Sequence, residues 1–128
     1  MSYAQQFADA LQELERSREL DVFLAVFAED VRLLRPEVSG EENGRDGARR
    51  FWQTYLDQFD EIASTFSRVE QSERLGELEW TGEGRLRTGR QVSYRGVSLL
   101  ELGDAGLVRR FATYYDTAAF VAPATSDS

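Results

Sequence analysis

Three side chains in this sequence have the chemistry to take part in a reaction or to hold a charged group: Tyr55, Asp116 and Arg35. A hydroxyl at Tyr55, on a segment with helical spacing, could polarise a carbonyl inside a cavity. A partly buried carboxylate at Asp116 could serve as a general base. The guanidinium of Arg35 could hold a carboxylate ligand through paired hydrogen bonds.

Each of these residues also has a purely structural interpretation. Tyr55 could be a core aromatic whose hydroxyl reaches the surface. The run that begins at Asp116, Asp116-Thr117-Ala118-Ala119-Phe120, is typical of an N-cap followed by a short helix, and for Asp116 we favour the cap. Arg35 could be a solvated residue at the end of a strand. The sequence alone allows both interpretations of each residue.

The residue types that are missing exclude several kinds of site. The sequence contains no histidine, which removes the usual general base and the Ser-His and Cys-His nucleophile pairs. It contains no cysteine, which removes disulfides, thiolate catalysis and cysteine-ligated metals. We therefore expect neither a metal nor a cofactor. The net charge of −8 argues against nucleic acid as a partner, because phosphate binding needs a basic face.

The length and the two ends of the sequence predict a simple organisation. The 128 residues fit one domain, residues 1–122, followed by a small, polar, flexible tail at 123–128. No basic segment precedes an apolar run near the N-terminus, so we expect no signal peptide. No apolar stretch approaches the length of a membrane span. The expectation is a cytoplasmic protein without a membrane partner.

The elements that position these side chains are predicted in the order helices first, then strands. Tyr3–Ser17 has apolar residues at helical spacing, and a strand at 31–36 is stopped by a proline. A third helix begins near Asp46 and carries Tyr55. The polar, glycine-bearing stretch 37–44 reads as a loop that could cover a cavity mouth. This order predicts an α+β fold with N-terminal helices on one face of a curved antiparallel sheet.

The C-terminal half predicts a sheet with one aromatic face. A turn at 88–90 pairs Leu75–Leu86 with Gln91–Leu102, and a second turn brings 107–115 alongside. The alternation then places apolar and hydroxyl side chains on the inner face. We predict that this face binds a small apolar or aromatic molecule, although simple core packing would also explain it. The predicted ligand-binding side chains of this face are Trp80, Tyr94, Ser98, Phe111, Thr113 and Tyr115.

The opposite face of the sheet mixes charges with apolar side chains. Opposite charges on neighbouring strands could pair across this face. Val97, Leu99 and Tyr114 add an apolar strip that solvent would not favour. A homodimer formed through the sheet would explain the mixture.

Several short motifs between residues 7 and 120 resemble those of a known family. They are Phe27-Ala28-Glu29-Asp30-Val31, Gly44-Arg45-Asp46 before Phe51-Trp52, Thr88-Gly89-Arg90, Arg95-Gly96-Val97-Ser98 and Tyr114-Tyr115-Asp116. The chain resembles the SnoaL-like branch of the nuclear transport factor 2-like superfamily, whose members include ketosteroid isomerases, polyketide cyclases and limonene-epoxide hydrolases. The resemblance implies a cone-shaped α+β barrel with an apolar cavity, usually dimeric.

The catalytic groups of those enzymes do not carry over to this chain. The general-base aspartate of ketosteroid isomerases would fall at Arg35, and their oxyanion-hole aspartate at or near Val97. The charged residues of epoxide hydrolases would fall at Trp80, Gly82 and Thr113. The resemblance therefore implies a SnoaL-like domain that binds a small, largely apolar molecule in an aromatic cavity. The alternative is a small cofactor-free isomerase, cyclase or hydrolase that acts by proton transfer.

Overall fold

A computed structural model describes residues 2–36 and 41–120. The helices are α1 (Tyr3–Ser17), α2 (Leu20–Phe23) and α3 (Gly44–Asp57). Short 3-10 turns lie at Leu24–Val26, Asp104–Gly106 and Thr117–Phe120. The strands are β1 (Phe27–Leu34), β2 (Glu42–Asn43), β3 (Phe59–Ser72), β4 (Leu75–Leu86), β5 (Gln91–Leu102) and β6 (Val108–Tyr115). The predicted α+β fold is present: β1 and β2 lie between α2 and α3, and the four long strands β3 to β6 follow the last α-helix.

Helix α1 is defined by its N-terminal cap and by the stripe of apolar residues that it buries. The Ser2 side chain accepts a hydrogen bond from the backbone N–H of Gln5 at 3.0 Å, which begins the helix. Phe7, Leu11 and Leu14 follow at helical spacing and are buried against the sheet. No helix among residues 2–36 and 41–120 is long and apolar enough to cross a bilayer.

The strands form one sheet in the order β2-β1-β6-β5-β4-β3. The sheet is mixed rather than wholly antiparallel, because β1 and β6 run parallel. These two strands are joined by most of the chain, and a connection of that length permits parallel pairing. Among the described strands, β2 and β3 lie at the two edges and do not pair with each other, so the sheet is open and does not close into a barrel.

The predicted inner face of the sheet is the observed one. Trp80 is opposite Gly96 across β4 and β5, and Gly96 is in turn opposite Tyr115 on β6. Glycine at position 96 makes room for the neighbouring ring, since a Cβ there would lie 2.7 Å from the Trp80 ring and 2.9 Å from the Tyr115 Cβ. At Gly82, a Cβ would lie 3.1 Å from the ring of Tyr94. The glycines therefore allow aromatic rings to lie against the backbone.

The core lies between the helices and this inner face. It is built from aromatic rings in tilted and T-shaped contact, which pack large apolar area with favourable ring geometry. The Phe23 and Trp52 rings are 5.0 Å apart, and the Trp52 and Phe111 rings are 5.2 Å apart. Helix α3 supplies Phe51 and Trp52 from its buried side. The core thus brings α3 against the aromatic end of the sheet.

Three boundary predictions involve residues that lie outside the described range. Residues 37–40 of the predicted covering loop are among these, while Glu42–Asn43 forms a short strand paired with β1. The boundary at residue 122 and the tail at 123–128 also lie outside the described residues. They stay predictions.

Candidate functional site

A small cavity lies where α1 and α3 face the concave side of the sheet. Its free volume is about 40 Å³, which is room for only a few water molecules. Leu11 of α1, Ser64 of β3 and Phe120 of the C-terminal turn are part of its wall. The sequence-predicted site residues in the wall are Arg35, Tyr55, Trp80, Tyr94, Ser98, Phe111, Thr113 and Tyr115. The fold therefore brings eight of the nine predicted site residues together.

The sheet side of the cavity is a wall of aromatic rings. Trp80 and Tyr94 are in T-shaped contact with ring centroids 5.3 Å apart, and the Tyr94 and Tyr115 centroids are 5.4 Å apart. Phe120 closes this wall from the C-terminal turn, with its centroid 4.7 Å from that of Tyr94. Each ring contacts the next, so the wall is continuous.

A row of buried hydroxyl groups runs beside the rings. The indole N–H of Trp80 donates to Ser98 Oγ at 2.9 Å, and Ser98 Oγ lies 2.8 Å from Thr113 Oγ1 in a second hydrogen bond. Ser98 and Thr113 are both buried. Ser98 Oγ accepts from Trp80, and in its bond with Thr113 either hydroxyl can be the donor.

The most unusual group beside the cavity is the carboxylate of Glu15, on α1. Its side chain is only 6% exposed. The Tyr55 hydroxyl donates to Glu15 Oε2 at 2.6 Å, and the Ser64 hydroxyl donates to the same oxygen at 2.7 Å. The backbone N–H of Ser64 donates to Oε1 at 2.8 Å. One carboxylate therefore connects α1 to α3 and to β3.

Burial sets the proton affinities of this pair. Burial raises the pKa of the Glu15 carboxyl above its ordinary value of 4.5, and the hydrogen bonds from Tyr55 and Ser64 offset part of that rise. Burial also raises the pKa of the Tyr55 hydroxyl well above 10.0, and the adjacent charge of Glu15 adds to the effect. Tyr55 therefore stays protonated at neutral pH and acts as a neutral hydrogen-bonding group.

Arg35 and Trp52 bring N–H donors to the same cavity wall. The Arg35 guanidinium carbon lies 4.9 Å from the centre of the Phe51 ring, and Nη1 donates to the Phe51 carbonyl at 3.3 Å. Trp52 is 3% exposed, and its indole N–H is a buried donor that has no hydrogen-bond partner among the described residues. A buried donor without an acceptor is costly, so this N–H is a place for a cavity water or a ligand oxygen.

Asp116 does not join this site. Its side chain is exposed and Oδ1 accepts the backbone N–H of Ala118 at 3.0 Å, which is the cap geometry favoured from the sequence. The cap holds the turn Thr117–Phe120 that carries Phe120 to the cavity. Asp116 thus acts on the site only through the turn that it caps.

No cluster of three or more acidic side chains within residues 2–36 and 41–120 could hold a metal ion. The only ionisable carboxylate buried beside the cavity in that part of the chain is Glu15, and its oxygens are taken by three protein donors. The Glu15 carboxylate therefore meets the cavity through the Tyr55 and Ser64 hydroxyl groups that donate to it.

A model of the SnoaL-like domain matches residues 4–111 of the sequence. The chain belongs to the SnoaL-like domain family. A search among curated proteins finds no match.

Solved structures with the same fold include a protein of unknown function from Burkholderia pseudomallei, described as NTF2-like. It is 22% identical, with 94% of this chain and 96% of that one covered and a TM-score of 0.82. TerC, co-crystallised with polyporic acid, is 19% identical, with 93% and 95% covered and a TM-score of 0.79. RV0760c from Mycobacterium tuberculosis, in complex with estradiol-17beta-hemisuccinate, is 18% identical, with 93% and 98% covered and a TM-score of 0.76. These identities establish the fold alone.

Sequence reasoning missed several residues of this site, among them Leu11, Trp52, Ser64, Phe120 and the adjacent Glu15. Glu15 follows Leu14 and lies four residues after Leu11, so it belongs to the apolar stripe of α1. An acidic residue inside such a stripe is a signal of a buried, hydrogen-bonded carboxylate. Phe120 lies at the end of a turn predicted to be capped by Asp116, and only tertiary packing places it over the cavity.

Glu15→Gln should change how the stability of the domain depends on pH. The Glu15 carboxyl keeps its proton to higher pH in the folded chain than in the unfolded chain. The protonated carboxyl therefore contributes to the free energy of unfolding at pH below 4.5, and this contribution is lost as pH rises through the raised folded pKa. Glutamine does not titrate. The free energy of unfolding of the wild type minus that of Glu15→Gln, from urea denaturation, should therefore fall as pH rises above 4.5.

The matched control is Glu19→Gln, an exposed glutamate that follows the same helix. It removes a carboxylate other than the hydrogen-bonded one, so the pH dependence assigned to Glu15 is the part that this control does not reproduce. A constant difference between the wild type and Glu15→Gln from acid to neutral pH would contradict the assigned titration of Glu15.

Proposed function

We propose that this SnoaL-like domain binds a small, largely apolar molecule with a flat or alicyclic skeleton in the cavity beneath α3. The observation that carries the proposal is the continuous wall formed by Trp80, Tyr94, Tyr115 and Phe120. Such rings bind a flat ligand through contact area, and the hydroxyl groups beside them orient it through a few hydrogen bonds. Two proteins of the same fold, RV0760c and TerC, have been crystallised with organic ligands, which supports this use of the fold.

The cavity has to enlarge for this function. Its volume of about 40 Å³ is far below the roughly 300–1,000 Å³ of a site for a drug-sized ligand. Trp80, Tyr115 and Phe120 are half-buried rings of the wall. Tyr115 and Phe120 contact each other, and Phe120 sits on a short turn near the end of the described chain. Binding would move these two rings outward and replace their mutual contacts with contacts to the ligand.

Filling the cavity should weaken binding. Leu11→Phe enlarges a buried side chain of the wall, so it should raise the Kd of estradiol-17beta-hemisuccinate by about tenfold or more, since each 1.4 kcal/mol is tenfold. Both tryptophans of the chain line the cavity, so quenching of intrinsic fluorescence measures the binding. The same titration with 1-anilinonaphthalene-8-sulfonate checks that the effect is not peculiar to the steroid.

The control for this variant is Val22→Phe, which makes a similar enlargement at a position 71% exposed on α2. It should bind like the wild type. Equal affinity of Leu11→Phe and the wild type for both probes would place the ligand outside this cavity and would overturn the proposal.

Proton-transfer catalysis is the second candidate, and the Glu15–Tyr55 hydrogen bond is the observation that favours it. A proton taken from carbon beside a ligand carbonyl could pass to the Tyr55 oxygen as the Tyr55 proton passes to Glu15. The products would be an enolate and a neutral carboxyl group. The raised pKa of Glu15 suits it to accept a proton nearer neutral pH.

The catalytic candidate predicts faster exchange of acidic C–H protons. The wild type should accelerate deuterium exchange of 2-tetralone in D₂O, followed by NMR, and Tyr55→Phe should lose about a hundredfold of that acceleration. Tyr3→Phe, at a side chain 44% exposed on α1, should keep it. An exchange rate equal to that of buffer would reject this candidate and leave the binding function in place.

We further propose that the outer face of the sheet forms a homodimer. Val97 and Leu99 are half-buried and Tyr114 is 48% exposed, which leaves an apolar strip across β5 and β6. Charges of both signs flank the strip, including Glu79 and Arg110. A second copy related by a two-fold axis would present the same strip and complementary charges.

The cytoplasmic location expected from the sequence stays a prediction.

A charge in the strip should separate the dimer. Tyr114→Glu should raise the dimer dissociation constant at least about thirtyfold, the effect of losing about 2 kcal/mol at an interface hot spot. Sedimentation equilibrium measures the constant. Val22→Glu, on α2, is the control and should leave it unchanged. A wild-type protein that sediments as a monomer would overturn the dimer proposal.

A further inference from the structure

The hydroxyl protons on one wall of the cavity point away from the cavity. Tyr55 and Ser64 both line the cavity, and both donate their hydroxyl protons to Glu15 Oε2, at 2.6 Å and 2.7 Å. A hydroxyl group has one proton and two acceptor lone pairs. With their protons committed to Glu15, these two oxygens have only acceptor capacity left for whatever occupies the cavity.

The donors around Glu15 match the ionised form of the carboxylate. Its oxygens accept three hydrogen bonds, and the third comes from the backbone N–H of Ser64, which cannot reverse its direction. An ionised carboxylate is an acceptor only, so it fixes the direction of both hydroxyl bonds. The same hydrogen bonds polarise the Tyr55 and Ser64 oxygens and strengthen them as acceptors.

An unpartnered donor lies next to this acceptor wall. The Trp52 and Tyr55 ring centroids are 5.5 Å apart, and the Trp52 indole N–H is buried with no acceptor among the described residues. The other rings packed on Trp52 are those of Phe7, Phe23, Phe27, Phe51 and Phe111, which carry no acceptor. Trp52 lines the cavity, so an acceptor atom on a molecule in the cavity can supply the missing partner.

We propose that Glu15 is a specificity-determining residue that makes this wall select a ligand carrying a neutral hydroxyl group, an alcohol or a phenol. A ligand hydroxyl can donate to the Tyr55 or Ser64 oxygen and can accept from the Trp52 N–H. A carbonyl or ether oxygen can only accept, so it would leave the acceptor wall unsatisfied. The inference rests on the proposed binding function and names the ligand class for it.

Two small flat probes that differ in one group test this inference: 2-naphthol and 2-methoxynaphthalene. Wild-type protein at neutral pH should bind 2-naphthol about tenfold tighter or more in isothermal titration calorimetry, because an unpaired buried acceptor is costly. In Glu15→Gln the side-chain amide donates to the Tyr55 and Ser64 oxygens, so their protons turn towards the cavity. The preference for 2-naphthol should then fall at least about fivefold.

Two further variants make the result specific. Tyr55→Phe removes one acceptor oxygen and keeps the ring, so it should also reduce the preference for 2-naphthol, and it serves if Glu15→Gln does not fold. Glu19→Gln, exposed beyond the same helix, should keep the wild-type preference. Thermal melts monitored by circular dichroism establish that each variant is folded before it is titrated.

The outcomes separate the inference from the proposed function. If neither probe binds the wild type, the proposed binding function fails, and the inference fails with it. If both probes bind and the ratio of their affinities is the same in the wild type, Glu15→Gln and Tyr55→Phe, the binding function stands and the role of Glu15 is overturned. A ratio that falls in both variants and not in Glu19→Gln supports the inference.

Discussion

The buried carboxylate of Glu15 is the constraint around which the site is arranged. A charge removed from water is stable only when enough donors surround it, and here the donors come from α3 and β3 while the carboxylate comes from α1. These elements must therefore meet at a fixed distance. The meeting point sets how far α3 stands from the sheet, and the cavity is the space that remains. Stability and cavity shape thus depend on the same three hydrogen bonds.

The sheet was predictable because its pattern is local. Alternation with a period of two fixes which side chains share a face, and the turn at 88–90 and the second turn before residue 107 fix which strands pair. Trp80, Ser98 and Thr113 were assigned to the inner face on this basis, and they lie there. The parallel pairing of β1 with β6 could not be read in this way, because strands so far apart in the chain carry no local signal of their partner.

The helix side of the site was less predictable, because the role of each polar side chain there depends on which residues it contacts in the folded chain. Tyr55 was a candidate from its residue type, but its bond to Glu15 depends on the packing of α1 against α3. For Asp116 the local sequence is enough. The pattern from Asp116 to Phe120 predicts an N-cap, and in the structure the Asp116 carboxylate is that cap and not a group of the cavity. A single sequence does not reveal which side chains form hydrogen bonds between elements that are distant in the chain.

The small volume of the aromatic cavity decides where specificity can arise. In the structure the rings of Tyr94, Tyr115 and Phe120 are already packed on one another, so a ligand that displaces them exchanges one apolar contact for another. That exchange discriminates poorly among flat molecules, because any flat skeleton can replace the ring contacts. Polar groups behave differently, because each buried donor or acceptor must be matched. The choice of ligand therefore falls to the few polar atoms at the wall, namely the oxygens held by Glu15 and the N–H of Trp52.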